Sequence, residues 1–86
     1  DYTVVGVIAK DRIEYYESLD SSSMPAMPFY QVEPAVQGAY SRTTTINDAT
    51  SDTTLTSGVY HISVVVGWLD AANMNRTTTF STIINK

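Results

Sequence analysis

The C-terminal third of the chain is the feature that most constrains its fold, because its hydrophobicity alternates over two successive segments. Residues 59–68 place large apolar side chains on one side of a strand and mostly smaller or polar ones on the other. Residues 76–85 alternate in the same way after a polar turn at 69–75. Two such segments joined by a short turn predict an antiparallel hairpin. We expect its core side to be formed by Tyr60, Ile62, Val64, Val66, Trp68 and Phe80.

The N-terminal region, residues 3–19, has the spacing of an amphipathic helix. On a helical wheel its apolar arc is wider than contact with one sheet requires. Arg12 lies in the middle of this arc, which leaves two interpretations. Either its aliphatic stem covers apolar neighbours while the charge reaches water, or it pairs with a carboxylate on another subunit. The arc comprises Val4, Val5, Ile8, Ala9, Ile13, Tyr15, Tyr16 and Leu19.

The middle of the chain is less regular. Residues 20–37 contain three prolines and a serine run, which predicts an ordered connecting loop after the helix. Residues 38–46 alternate as a strand with a mostly polar outer side. Residues 47–58 are predicted to be a turn, with room for a short strand at 53–56.

These segments together predict one α+β domain over residues 1–86. The helix at 3–19 buries its stripe against a three- to four-stranded antiparallel sheet, since each element needs an apolar partner. The connecting loop occupies 20–37, and the β-meander occupies 38–86.

Composition excludes several kinds of function. The net charge is −4, and the five basic residues are scattered along the 86-residue chain, so nucleic-acid binding is not expected. The sequence has no cysteine, which removes disulfides and thiolate metal sites. Its apolar runs are much shorter than the roughly 20 residues of a membrane-spanning helix.

Catalytic chemistry is also not indicated, and we predict no enzyme activity, no cofactor and no metal. The single histidine, His61, lies in the middle of a predicted strand without an obvious nucleophile beside it. Asp48 and Asp52 in the 47–52 segment carry oxygen ligands of the kind calcium prefers, but their spacing does not fit an EF-hand, and such residues are ordinary turn formers. Asn75 begins an N-glycosylation sequon, which matters only in a glycosylating host.

Three segments of the chain resemble type IV pilin-like proteins, especially PilV-type minor pilins and I-type minor pseudopilins of type II secretion. The ending is similar to the closing hairpin of that family: alternating valines, then Trp68 and Asp70, a polar turn, Arg76, and a Ser-Thr-Ile-Ile close at 81–84. The run Ala9, Arg12, Ile13 and Glu14 resembles the stretch where the pilin helix meets its headgroup. Residues 38–48 are similar to the first strand of the family.

The resemblance implies a structural subunit that assembles through its N-terminal helix with other pilin-like subunits. It also implies a hydrophobic segment upstream of Asp1, the only route to the membrane, which anchors the subunit in the inner membrane before assembly. The filament would be extracellular or on the cell surface, or periplasmic for a pseudopilin. Charge reversal at Arg12 is then expected to disrupt assembly more than it destabilises the fold. The implied assembly face is Val5, Ile8, Ala9, Arg12, Ile13 and Tyr16.

A different class of function stays open at this point. An extracellular β-rich binding or adhesin module would use Trp68, Tyr60 or the aromatic residues of the 20–37 loop as a contact platform.

Overall fold

The computed structural model describes residues 2–86 and is an α+β fold: one N-terminal helix packs against one side of a four-stranded antiparallel sheet. The strands follow one another in the sheet in the order β1-β2-β3-β4, as a meander. The elements are helix α1 (Tyr2–Glu17), a single 3₁₀ turn (Ser21–Ser23), and strands β1 (Phe29–Val36), β2 (Tyr40–Asn47), β3 (Val59–Leu69) and β4 (Asn75–Asn85).

Strand β1 corrects the prediction of a connecting loop over the whole of 20–37. Its residues pair with β2 from Phe29 opposite Ile46 to Val36 opposite Tyr40, with a register shift between Glu33 and Val36. The three prolines in and before this segment argue against a strand. An edge strand tolerates proline, however, because one of its sides carries no ladder hydrogen bonds, and β1 is an edge strand.

The short strand predicted at 53–56 is absent from the structure, where residues 48–57 form successive turns. Asp48 accepts hydrogen bonds from the backbone N–H and the hydroxyl of Thr50, and Asp52 does the same for Thr54. These side chain to backbone bonds compete with strand pairing. The threonine-rich segment, whose composition favours a strand, therefore forms two Asx turns.

Helix α1 ends at Glu17, slightly before the predicted boundary at residue 19. The last turn tightens where the N–H of Leu19 bonds the carbonyl of Tyr16 at 3.3 Å and the hydroxyl of Ser18 bonds the carbonyl of Tyr15 at 2.6 Å. The helix packs mainly against β3, with β2 and β4 on either side. It therefore covers the middle of the sheet.

The core lies between α1 and the inner side of the sheet. Ile62, Val64 and Val66 of β3 are fully buried there. The other three predicted core residues, Tyr60, Trp68 and Phe80, are partly buried and pack against its rim. The helix and the other strands contribute the remaining buried apolar side chains, Val5, Ile8, Ala9, Tyr16, Ile46 and Ile84.

Candidate assembly interface

The residues expected to face neighbouring subunits lie instead on the side of α1 that covers the sheet. Val5, Ile8, Ala9 and Tyr16 are buried in the core of the same chain. Ile13 is partly buried against that core. The assembly face proposed from the wheel is therefore corrected, because the sheet of the same chain covers these residues.

Arg42 links the sheet to the helix from inside the fold, and only 5% of it is exposed. Its Nε and Nη2 atoms donate to the two carboxylate oxygens of Glu33 at 2.9 and 2.8 Å, a bidentate pair between β2 and β1. Its Nη1 atom donates to the backbone carbonyl of Ile8 in α1 at 3.0 Å. Asp11, which is mostly exposed, lies 3.5 Å from the same Nη1. A single guanidinium thus joins three elements.

Arg12 completes this cluster from the helix. Its Nη2 donates to Glu33 Oε2 at 3.2 Å, and its guanidinium lies 5.3 Å from the centre of the Tyr15 ring. The carboxylate partner of Arg12 therefore belongs to its own chain. About a fifth of the Arg12 side chain stays exposed, so its stem covers the helix side of the sheet while its charge is paired within the chain.

The electrostatics of the cluster centre on Glu33. Hydrogen bonds from Arg42 hold the pKa of the Glu33 carboxyl below its usual value, against the opposing effect of burial, and the charges of Arg42 and Arg12 add to the lowering. The same hydrogen bond raises the pKa of Arg42. Burial raises the pKa of the neighbouring Tyr16 hydroxyl. The arrangement keeps Glu33 ionised and gives it a structural role.

The outward side of α1 carries the surface that remains available to a neighbour. Val7 is 57% exposed and Tyr15 is 50% exposed, although both are large apolar side chains. Beside Val7 lie Lys10 and Glu14, which pair at 3.7 Å, and these residues border a shallow hollow of about 220 Å³. Val7 lies outside the apolar arc predicted from the sequence. Its position among the polar residues of the wheel is the signal that could have identified it.

The turn after β3 is built around Asp70. Its Oδ1 accepts the backbone N–H groups of Ala72 and Met74 at 2.8 and 3.0 Å, while its Oδ2 accepts Arg76 Nε at 2.8 Å. The hydrogen bond from Arg76 lowers the pKa of Asp70. Two residues that carried the family resemblance, Asp70 and Arg76, therefore fix the geometry of this hairpin.

The aromatic platform expected for a binding module does not form on an open surface. Tyr60 and Trp68 point to the helix side of the sheet and are partly buried, and Tyr40 stacks obliquely near Trp68 at 6.4 Å. Among the aromatic residues of the 20–37 segment, Tyr30 on β1 is exposed. An open cleft of about 270 Å³ lies at the end of the sheet where Trp68 meets Arg76 and Pro34.

The remaining candidate residues are dispersed. His61 is half-buried on β3, opposite Asn47 and Ile83 of the neighbouring strands. Asp48 and Asp52 are engaged in their own turns, and the hydrogen bonds from Thr50 and Thr54 lower their pKa values. Across residues 2–86, no three carboxylate or histidine side chains come together in a group that could hold a metal ion.

Comparison with known proteins adds nothing to the structural description. No protein-family model matches the chain, and no curated protein or solved structure matches it either. Among the described residues, no helix has the length and apolar character needed to cross a bilayer.

Proposed function

We propose that this chain is the headgroup of a structural subunit in a type IV pilus-like or type II secretion pseudopilus filament. Support comes from two sources: the order of one helix followed by an antiparallel meander, and the resemblance of the helix and of the closing hairpin to that family. The proposal differs from the one drawn from the wheel in its contact surface, because the sheet-facing residues of α1 are occupied within the chain.

The observation that carries the proposal is the outward side of α1. Val7 and Tyr15 expose apolar area on a helix face that is otherwise charged. Lys10 lies beside Asp11 and Glu14, so both signs of charge are present within about two helical turns. Helices that pack side by side in a filament need such a surface: apolar contacts supply affinity, and paired charges set the register between neighbours.

Substitution of Val7 by lysine tests this surface directly. The side chain is half exposed and lies outside the core, so Val7→Lys should change the melting temperature of the isolated chain by less than about 3 °C. The added charge should nonetheless reduce assembly at least about tenfold, because it places an unpaired ammonium in the contact between subunits. The measurement is the amount of the protein in filaments sheared from cells that express its natural gene, detected by antibody.

Val32→Lys is the matched control, since Val32 is also a half-exposed valine but lies on strand β1. Filaments should form normally with this variant. Wild-type yields from the Val7→Lys gene, or equal losses from both variants, would remove α1 as the assembly surface. Absence of the protein from any sheared filament would refute the proposed function itself.

A further inference from the structure

The two edge strands of the sheet, β1 and β4, differ in the sequence features that prevent a further strand from pairing with them. Strand β1, at one edge, contains Pro34, breaks its register with β2 between Glu33 and Val36, and turns the charge of Glu33 inward to Arg42. Proline, irregular pairing and inward-pointing charges are devices by which sheets prevent a further strand from adding at an edge. The β1 edge is therefore protected against pairing with a further strand.

The β4 edge has none of these devices. Its eleven residues pair with β3 in an unbroken register, from Asn75 opposite Leu69 to Asn85 opposite Val59. The strand contains no proline, and its single charged residue, Arg76, lies next to one end. Its unpaired backbone groups form a row about 36 Å long. No other segment of residues 2–86 pairs with this edge.

We propose that β4 is a strand-pairing edge, and that its occupant is β4 of a second copy of this chain. The two strands run antiparallel about a two-fold axis at Phe80 and join the two sheets into one of eight strands. The contact uses β4 instead of α1, so it stands independently of the filament assembly proposed above.

The register follows from the strand itself. Phe80 is the central residue of β4, so a two-fold axis there pairs all of its residues, whereas any other centre leaves some unpaired. Thr78 then lies opposite Thr82 of the second copy, and Thr79 lies opposite its Ser81. Cross-strand pairs of threonine and serine are favourable in sheets. The hydroxyls of Ser63 and Ser81 already make such a contact within the chain, at 3.1 Å.

Charge favours a second copy as the occupant. The chain has nine acidic residues, and none of them lies in β3 or β4. In the proposed register Arg76 faces Ile84 of the second copy, so no like charges meet across the contact. Two molecules that each carry a net charge of −4 can thus approach along strands that contain no carboxylates.

Sedimentation equilibrium of the 86-residue chain tests the contact. We expect a reversible dimer at concentrations on the order of 100 μM, since pairing along one strand gives modest affinity. Thr79→Lys/Ser81→Lys places like charges opposite each other twice across the axis and should raise the dissociation constant at least about tenfold. Thr79→Lys/Ser81→Glu has the same number of substitutions but pairs opposite charges, so it should restore the dimer at low salt.

Tyr30→Lys/Val32→Lys is the control, because it adds the same charge to exposed positions of the protected edge and should leave association unchanged. Circular dichroism of each variant reports folding. Hydrogen exchange of the wild-type chain gives a second measure: β4 amides should become more protected as concentration rises, and β1 amides should not. A monomer up to about 1 mM, unlimited aggregation, or failure of the Lys/Glu pair to restore association would overturn the proposal.

Discussion

Glu33 connects β1 to two other elements of the fold through its side chain. It accepts hydrogen bonds from two arginines that come from different elements, Arg42 in β2 and Arg12 in α1. Arg42 is almost fully buried, so it depends on this carboxylate for its charge balance. A buried charge that loses its partner costs more free energy than the intact pair contributes. The cluster is therefore sensitive to removal of one member.

Substitution Glu33→Gln tests this dependence. We expect the free energy of unfolding at pH 7 to fall by about 2–3 kcal/mol, because the variant keeps the shape of the side chain but leaves Arg12 without its carboxylate and Arg42 with only the mostly exposed Asp11. Urea unfolding followed by circular dichroism measures the change. Glu14→Gln is the matched control, since it breaks only the exposed pair with Lys10 and should cost less than about 0.5 kcal/mol.

The Glu33→Gln variant also tests how the unfolding free energy contributed by Glu33 depends on pH. The folded-state pKa of Glu33 is lowered from its usual 4.5, so the unfolded chain takes up this proton first as the pH falls. The stabilisation is complete above that value and is lost as the pH falls through the folded-state pKa. The difference in unfolding free energy between wild type and Glu33→Gln should therefore stay constant from about pH 6 to 8 and shrink below about pH 4.5. A difference that persists unchanged in acid would show that the ionised carboxylate is not its source.

The sequence predicts this cluster only in part. The helical wheel marks Arg12 as out of place on an apolar arc, but its partner is 21 residues away in a segment predicted to be a loop. Glu33 and Arg42 become neighbours only through the β1–β2 register. The inward alternation of Phe29, Gln31 and Glu33 is a local signal that could have identified β1, and with it the pair. Ion pairs between residues far apart in the sequence cannot otherwise be identified from local sequence patterns.

Among the elements, helix α1 ends in a turn whose sequence supplies hydroxyl and backbone donors but no cation. The last turn contains no basic residue, although the final carbonyls of a helix have no partner within it. Lys86 supplies the partner from the other end of the chain. Its Nζ atom donates to the carbonyl of Glu17 at 2.9 Å and also to that of Leu19. Its backbone N–H bonds Gly58, which fixes its place beside β3.

Removal of this ammonium should loosen the end of the helix. Lys86→Met keeps most of the side-chain volume but loses the donors, and we expect it to lower the free energy of unfolding by about 1–2 kcal/mol. Hydrogen exchange of the amides of residues 14–18 should accelerate, whereas exchange at residues 5–9 should change little. Lys10→Met, on the outward side of the same helix, provides the comparison. Unchanged exchange at the helix end in Lys86→Met would mean that the contact contributes nothing to its stability.

Elements with strong periodicity were predicted from the sequence, and the rest depended on tertiary contacts. The helix and strands β2, β3 and β4 lie close to their predicted ranges because alternation and helical spacing are local properties. Strand β1 was missed because Pro34 masks its pattern. The strand expected at 53–56 was wrong because Asp48 and Asp52 capture the threonine hydroxyls and N–H groups that follow them.

At the scale of the whole molecule, the fold is elongated, with extents of 44 × 23 × 18 Å. Helix α1 is about 24 Å long and therefore covers only part of the sheet. Strand β3 is paired on both sides, and its inward residues Ile62, Val64 and Val66 are fully buried. Strand β1 is paired on one side and has an irregular register. Stability should therefore be distributed unevenly across the sheet, with its maximum at β3.

Native-state hydrogen exchange should reveal this gradient. We expect the amides at the centre of β3 to exchange only through global unfolding, because their release requires both ladders and the core to open. Amides of β1 that bond β2 should exchange at least about 100-fold faster, through local opening of the edge. The measurement is exchange by NMR in a series of low urea concentrations, at dilute protein so that pairing between molecules does not contribute. Exchange of β3 should show the full urea dependence of unfolding, and exchange of β1 should show little. Equal protection and equal urea dependence in the two strands would instead mean that the cluster around Glu33 binds β1 to the core so firmly that the sheet opens as a single unit.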